Sequence, residues 1–173
     1  APTGDLVFED CRVPATNLLG AEGEGFKTTM RAFSEERCGN AALSLGNAQG
    51  AYEYTLRYLK ERVAFGQPLA RFQGIQWMLA DMASQRDAAR LLIHRAAWMA
   101  DQGMVQVKEV AMAKVMANEA SMRITTDCVQ LLGGHGYMKD HPVERMMREA
   151  KLWAIGGGTT QIQRNIIAQH ILQ

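Results

Sequence analysis

The sequence predicts an all-α protein: an antiparallel helical bundle of the four-helix type, about five helices long, preceded by a short β segment. Three observations carry this. From about Glu24 the apolar spacing turns helical, and no proline interrupts it as far as Lys60. Gly- and Pro-bearing stretches, "RVAFGQPLARF" and "GGHGY", then cut the helical pattern into long pieces joined by short turns. The 173 residues are 47% hydrophobic and 21% charged, enough for one sizeable core.

Taken in order, "DLVFEDCRVP" alternates apolar and polar residues, so Leu6 to Val13 reads as a strand, the last of something larger. The chain therefore reads as a fragment. "NLLGAEGEGF" is a turn-rich connection into the first helix, which is long for a globular helix and leaves room for a break or kink before Lys60. A second helix spans about Gln73 to Asp101, with Gly103 suited to its C′ position. A third spans about Val107 to Leu132 and stops at "GGHGY". Pro142 opens a short fourth helix through about Trp153. Thr159 or Thr160 caps a fifth that reaches the C-terminus. In the first helix, Gly39, Ala42, Gly46 and Gly50 form a stripe of small residues, read as a surface for close helix packing.

Composition excludes several classes. A net charge of +1 without long single-sign blocks argues against nucleic acid as the main partner, and no apolar run reaches the roughly 18 residues of a membrane span. Cys11, Cys38 and Cys128 are odd in number and far apart, which fits buried structural thiols in a reducing compartment. The start "APTGDLVFEDCRVPA" lacks the basic flank and apolar segment of a signal peptide. No metal is expected, because His135, His141 and Cys128 match no common zinc spacing. His94 and His170 read as surface or packing residues.

Chemistry concentrates in four places. "LWAIGGGTTQIQR" sets Gly156, Gly157 and Gly158 before a helix, where backbone can approach a ligand but no side chain can carry a proton. "FSEERCGNAALSLG" offers Glu35, read as a solvated carboxylate, and Glu36. Gly39, Asn40 and Leu43 share the Glu36 face, so Glu36 could pack inside, where desolvation would make it a base near neutral pH. "ERVAFGQPLARFQ" supplies Arg62 for a phosphate, Phe65 for an apolar ring, and Gln73. "VQLLGGHGY" adds Gln130 and the paired Gly133 and Gly134 at a helix end.

These motifs occur in the order "FEDCRVPATNLLGAEGEGFK", "ERVAFGQPLARFQGIQWMLADM", "TTDCVQLLGGHGYMKDHPVERMMREAK" and "GTTQIQRNIIAQHIL", over nearly the whole chain. So arranged, they resemble the C-terminal part of the acyl-CoA dehydrogenase family. The resemblance implies that residues 1–22 are the tail of a middle β domain with its connection, and 23–173 a C-terminal helical bundle domain. It implies FAD at a subunit interface of a homodimer or homotetramer. Arg62, Phe65, Gln73, Gln130, Gly133 and Gly134 would touch a neighbouring subunit's FAD; Thr159 and Gln161 would touch their own. It further implies α,β-dehydrogenation of an acyl-CoA thioester, with electrons passing to an electron-transfer flavoprotein or similar acceptor. The location implied is the bacterial cytoplasm or the mitochondrial matrix.

The chain departs from the common family form at one point. Where that form reads Tyr-Glu-Gly-Thr, with the glutamate as base, this chain has Gly156, Gly157, Gly158 and Thr159. A minority branch that includes isovaleryl-CoA dehydrogenase takes its base from a glutamate before an arginine in the first bundle helix. The matching pair here is Glu36-Arg37. On that resemblance Glu36 is the general base, the Gly157 N–H donates to the thioester carbonyl, and Arg37, Gly156 and Gly157 meet the substrate. Loss of the Tyr-Glu bulk implies a branched or bulky acyl group. A non-catalytic flavin- or acyl-CoA-binding or assembly relative, and an acyl-CoA oxidase, are the alternatives. The fragment alone is expected to hold FAD weakly and turn over little.

Overall fold

A computed structural model describes residues 3–104 and 106–173, apart from the side chains of Ser34 and Glu35. The solvated-carboxylate expectation for Glu35 therefore lies outside the described residues. Among the described residues, six α-helices make up the fold: α1 (Gly25–Glu61), α2 (Gln73–Asp101), α3 (Val107–Leu132), the single turn α4 (Gly134–Tyr137), α5 (Val143–Trp153) and α6 (Thr160–Ile171). Five correspond to the expected helices, and the sixth is the "GGHGY" turn itself.

α3 is the centre of the bundle, packing against α1, α2, α5 and α6. Its sequence explains this. Ala113, Ala117 and Ala120 are buried and small, so neighbouring helix backbones approach closely on more than one side. Ile124 of α3, Leu59 of α1, Met82 of α2 and Val143 at the start of α5 are fully or almost fully buried and fill the space between them. Truncating a side chain such as Ile124 to alanine would cost about 2–5 kcal/mol.

α1 runs 37 residues without a break. Its first turns are exposed, and from Asn40 onward buried residues recur at helical spacing against α3. α1 ends in a two-strand hairpin, β1 (Val63–Ala64) and β2 (Gln67–Pro68), with Val63 opposite Pro68 and Ala64 opposite Gln67. Phe65 and Gly66 make the turn with φ of 53° and 81°, the left-handed pair that matches the twist of a tight hairpin. At α2, Gln102 and then Gly103 (φ 66°) follow the last turn, as expected for a C′ glycine. Pro142 precedes α5 as its N-cap residue, one position earlier than expected.

The expected strand at residues 6–13 does not form; Leu6, Val7, Phe8 and Val13 are all exposed. The alternation is real, but a strand needs a neighbour for its N–H and C=O groups. Among the described residues the only sheet is the hairpin at 63–68. Of the three thiols only Cys128 is fully buried, and burial pushes its pKa up to about 11. Cys38 is partly buried, while Cys11 is exposed, because the segment that carries it packs on nothing.

Candidate active site

The loop between α5 and α6 is held from inside the bundle. Gly157 and Gly158 have φ of 65° and 97°, two consecutive residues in a conformation that side chains resist. Lys114, fully buried on α3, donates from Nζ to the Gly156 carbonyl at 2.6 Å and to the Gly158 carbonyl at 2.8 Å. One turn along, Asn118 Nδ2 donates to the Trp153 carbonyl at 2.6 Å. Gln163, buried on α6, reaches back to the Gly158 carbonyl at 3.3 Å. Thr159 caps α6, its hydroxyl accepting from the Ile162 N–H at 3.3 Å.

Within this arrangement the Gly156 N–H donates to Leu152, whereas the Gly157 N–H donates to no acceptor among the described residues. Gly157 is partly exposed, so that donor is open to a ligand. Arg37 also approaches the loop: its guanidinium is 3.9 Å from where a methyl group on Gly158 would sit, and its buried Nε has no partner among the described residues. Asn40 is buried against Gly157, with its Oδ1 likewise unpartnered. Burial, with the nearby Arg37 charge, lowers the Lys114 pKa to about 8, and Glu36 opposes that shift.

Glu36 itself is exposed. Of the residues on the face it shares, Asn40 is buried, but Gly39 is exposed and Leu43 is 60% exposed. Together with Ala42, Gly46, Asn47 and Trp153, these residues line an open groove of about 740 Å³. Most of the small-residue stripe therefore floors a groove instead of seating a helix. Only Gly50, whose missing methyl group would touch Met146 at 3.5 Å, behaves as a packing glycine. Asn40 belongs to both groove and loop, and so links Glu36 to Gly157.

A second concavity, of about 720 Å³, brings together Arg62, Gln130, Gly133 and Gly134 with Tyr58 and His135. Phe65 and Gln73 are exposed at positions flanking it in the chain. The Phe65 ring is 94% exposed, and its one ring contact is edge-on with Phe72, the residue just before Gln73. Gly133 adopts φ 60° and ψ −137°, and nothing lies within 4 Å of a methyl group placed on it or on Gly134. Open backbone, an arginine without an ion pair among the described residues and an uncovered aromatic ring suit a ligand with phosphates and a flat ring. Flavin adenine dinucleotide has both. Thr159 and Gln161 stand apart from this concavity, at the start of α6. His135 and His141 turn Nδ1 toward the hydroxyls of Tyr58 and Tyr54, at 2.9 and 2.7 Å.

Lys114, Asn118 and Gln163 escaped sequence reasoning. A signal was present: Lys114, Asn118 and Ser121 recur at i, i+4 and i+7 in "AKVMANEAS", on the same side as apolar core positions.

Residues 23–172 match the family described as acyl-CoA dehydrogenase, C-terminal domain. Cyclohexane-1-carbonyl-CoA dehydrogenase of Geobacter metallireducens is 48% identical over 99% of this chain and 45% of its own length. Acryloyl-CoA reductase (NADH) of Anaerotignum propionicum is 47% identical over 99% of this chain and 43% of its own. The structure of butyryl-CoA dehydrogenase from Megasphaera elsdenii superposes with a TM-score of 0.91 at 43% identity, covering 96% of this chain and 44% of that one. The chain thus spans less than half the length of these relatives.

Proposed function

Since the chain belongs to the acyl-CoA dehydrogenase family, we propose that it is the C-terminal part of an FAD-dependent enzyme that dehydrogenates a branched or bulky acyl-CoA thioester. Residues 1–22 would complete the middle β domain, and 23–173 form the bundle. The observation that carries the catalytic reading is Glu36 on an open groove whose wall residue Asn40 also lies against Gly157.

Glu36 takes the α-proton of the thioester as that C–H bond breaks, while the β-hydrogen leaves with its electron pair and the α,β double bond forms. Bound flavin supplies the two-electron acceptor for that hydride. The free Gly157 N–H donates to the thioester carbonyl, where negative charge develops as the α-proton leaves. Arg37, beside Gly158, holds the loop end of the groove positive. Glu36 is exposed in this chain, so closing the site falls to the acyl chain, the flavin and the rest of the subunit. Arg62, Phe65, Gln73, Gln130, Gly133 and Gly134 would hold a neighbouring subunit's flavin, which fits their distance in the fold from the α6 residues Thr159 and Gln161. A homodimer or homotetramer and an electron-transfer flavoprotein or similar acceptor belong to this reading, in the bacterial cytoplasm or mitochondrial matrix.

The glycine at position 157 favours one rival, a relative that binds flavin or acyl-CoA without catalysis. One variant separates the two. In the full-length protein, Glu36→Gln should slow anaerobic flavin reduction by a branched acyl-CoA by about 10²-fold or more with flavin still bound. Unchanged reduction removes Glu36 from the chemistry, and no reduction in the unmutated protein by any acyl-CoA of a panel supports the rival. Rapid reoxidation of the reduced protein by oxygen would indicate an oxidase.

A further inference from the structure

We propose that Lys114 is a positioning residue for this reaction: by holding the Gly156 carbonyl it orients and polarises the peptide whose other end is the Gly157 N–H. The inference rests on the dehydrogenase reading above and adds a role for a residue that does not line the groove.

Geometry comes first. The Gly156 C=O and the Gly157 N–H belong to one planar peptide, and the chain has no cis peptide bonds among the described residues, so the two groups point in opposite directions. Lys114 grips the oxygen at 2.6 Å from the core side. The N–H is thereby turned away from Lys114 and, like those of Gly158 and Thr159, it donates to no acceptor among the described residues. Three consecutive glycines have no side chains with which to hold a left-handed pair, and their backbone freedom works against any single conformation. Two bonds from one buried nitrogen, to Gly156 and Gly158, span that pair and restrict it.

Charge adds the second effect. A cation on the carbonyl oxygen draws electron density through the amide and makes its N–H a stronger donor, an effect amplified where water is excluded. Burying a lysine is unfavourable in itself and lowers its pKa to about 8, so a charge sited there needs strong acceptors; two carbonyls at short range provide them. The charged side chains acting on Lys114 are Arg37 and Glu36 of α1; α6 contributes the uncharged Gln163 beside the same loop.

The test reads the carbonyl directly. Pivaloyl-CoA has no α-hydrogen, so it can bind without reacting. With ¹³C at its thioester carbonyl, the infrared stretch of the bound form is compared with that of free thioester in full-length, flavin-loaded protein. The unmutated protein should move the band to lower frequency, and folded Lys114→Met should lose at least half of that displacement. For a reacting substrate, kcat should fall about tenfold or more with KM little changed. A folded Lys114→Met that keeps the whole displacement overturns the role of Lys114. No displacement in the unmutated protein overturns the Gly157 donor itself, and with it the role of Lys114. If Lys114→Met does not fold, the unmutated protein decides: its displacement should shrink as pH rises from about 7 to 10 and Lys114 loses its charge, and a flat response overturns the proposal. Repeating that titration with Glu36→Gln removes the carboxylate as the source of any change.

Discussion

The Lys114 ammonium nitrogen lies 2.8 Å from the Gly158 carbonyl oxygen, inside the chain, with no part of the lysine accessible to solvent. A lysine so placed couples protonation to stability. Its pKa falls from the ordinary 10.5 to about 8, so between those values the unfolded chain keeps a proton that the folded chain has released. Stability from this group is therefore complete above about pH 10.5 and is lost as pH falls through about 8. Urea unfolding of the protein and of Lys114→Met should show the unmutated protein gaining on the variant as pH rises from 8 to 10. A constant difference across that window would mean that the lysine is not held as described.

Gly158 and Gly156 should respond differently to alanine. A methyl group on Gly158 would come within 2.7 Å of Gln163 Nε2, at a φ of 97°. On Gly156 its nearest contact would be the Leu152 carbonyl, at an ordinary 3.5 Å. Gly158→Ala should lose about 1–3 kcal/mol and Gly156→Ala less than about 1. Thermal melts of the two variants check this, and equal losses would contradict the loop conformation.

Gly136 is the tightest glycine in the chain among the described residues. A methyl group there would sit 2.4 Å from the Val129 carbonyl oxygen, which is backbone and cannot step aside alone. Gly136→Ala should destabilise by about 3 kcal/mol or more, while Gly134→Ala, with nothing within 4 Å, should change stability by less than about 1 kcal/mol. Because α4 carries His135 at the edge of the second concavity, Gly136→Ala should also weaken flavin retention in the full-length protein. Denaturant midpoints and flavin content measure both.

Gly46 tests whether the groove sets acyl width. It is exposed within α1, and a side chain there would start in open space while pointing over the groove floor. Gly46→Phe should leave the fold intact, since replacing a mid-helix glycine gains a few tenths of a kcal/mol, roughly 0.5. In the full-length protein kcat/KM for a branched acyl-CoA should fall about tenfold or more, and that for a straight-chain one less. Equal losses would remove this groove from substrate selection.

The helices were legible in the sequence because each is a local object. Bonds from i to i+4, the Thr159 cap and the Gly103 stop depend on residues a few positions apart, and they appear where expected. The motif residues were legible too, through their order along the chain, and the structure gathers Arg62, Gln130, Gly133 and Gly134 around one concavity. What failed depended on partners. The alternation at Leu6 to Val13 is a sound strand pattern without a neighbour, and the small-residue stripe is a sound packing pattern that faces open space. The long-range contacts in α3 were invisible for the same reason: in sequence, Lys114 stands 42 residues from Gly156. Residue types and helix periods thus determined which helices form. Only the packing of α3 between α1, α5 and α6 decided that a lysine would sit under a glycine loop, and that Glu36 would face a groove.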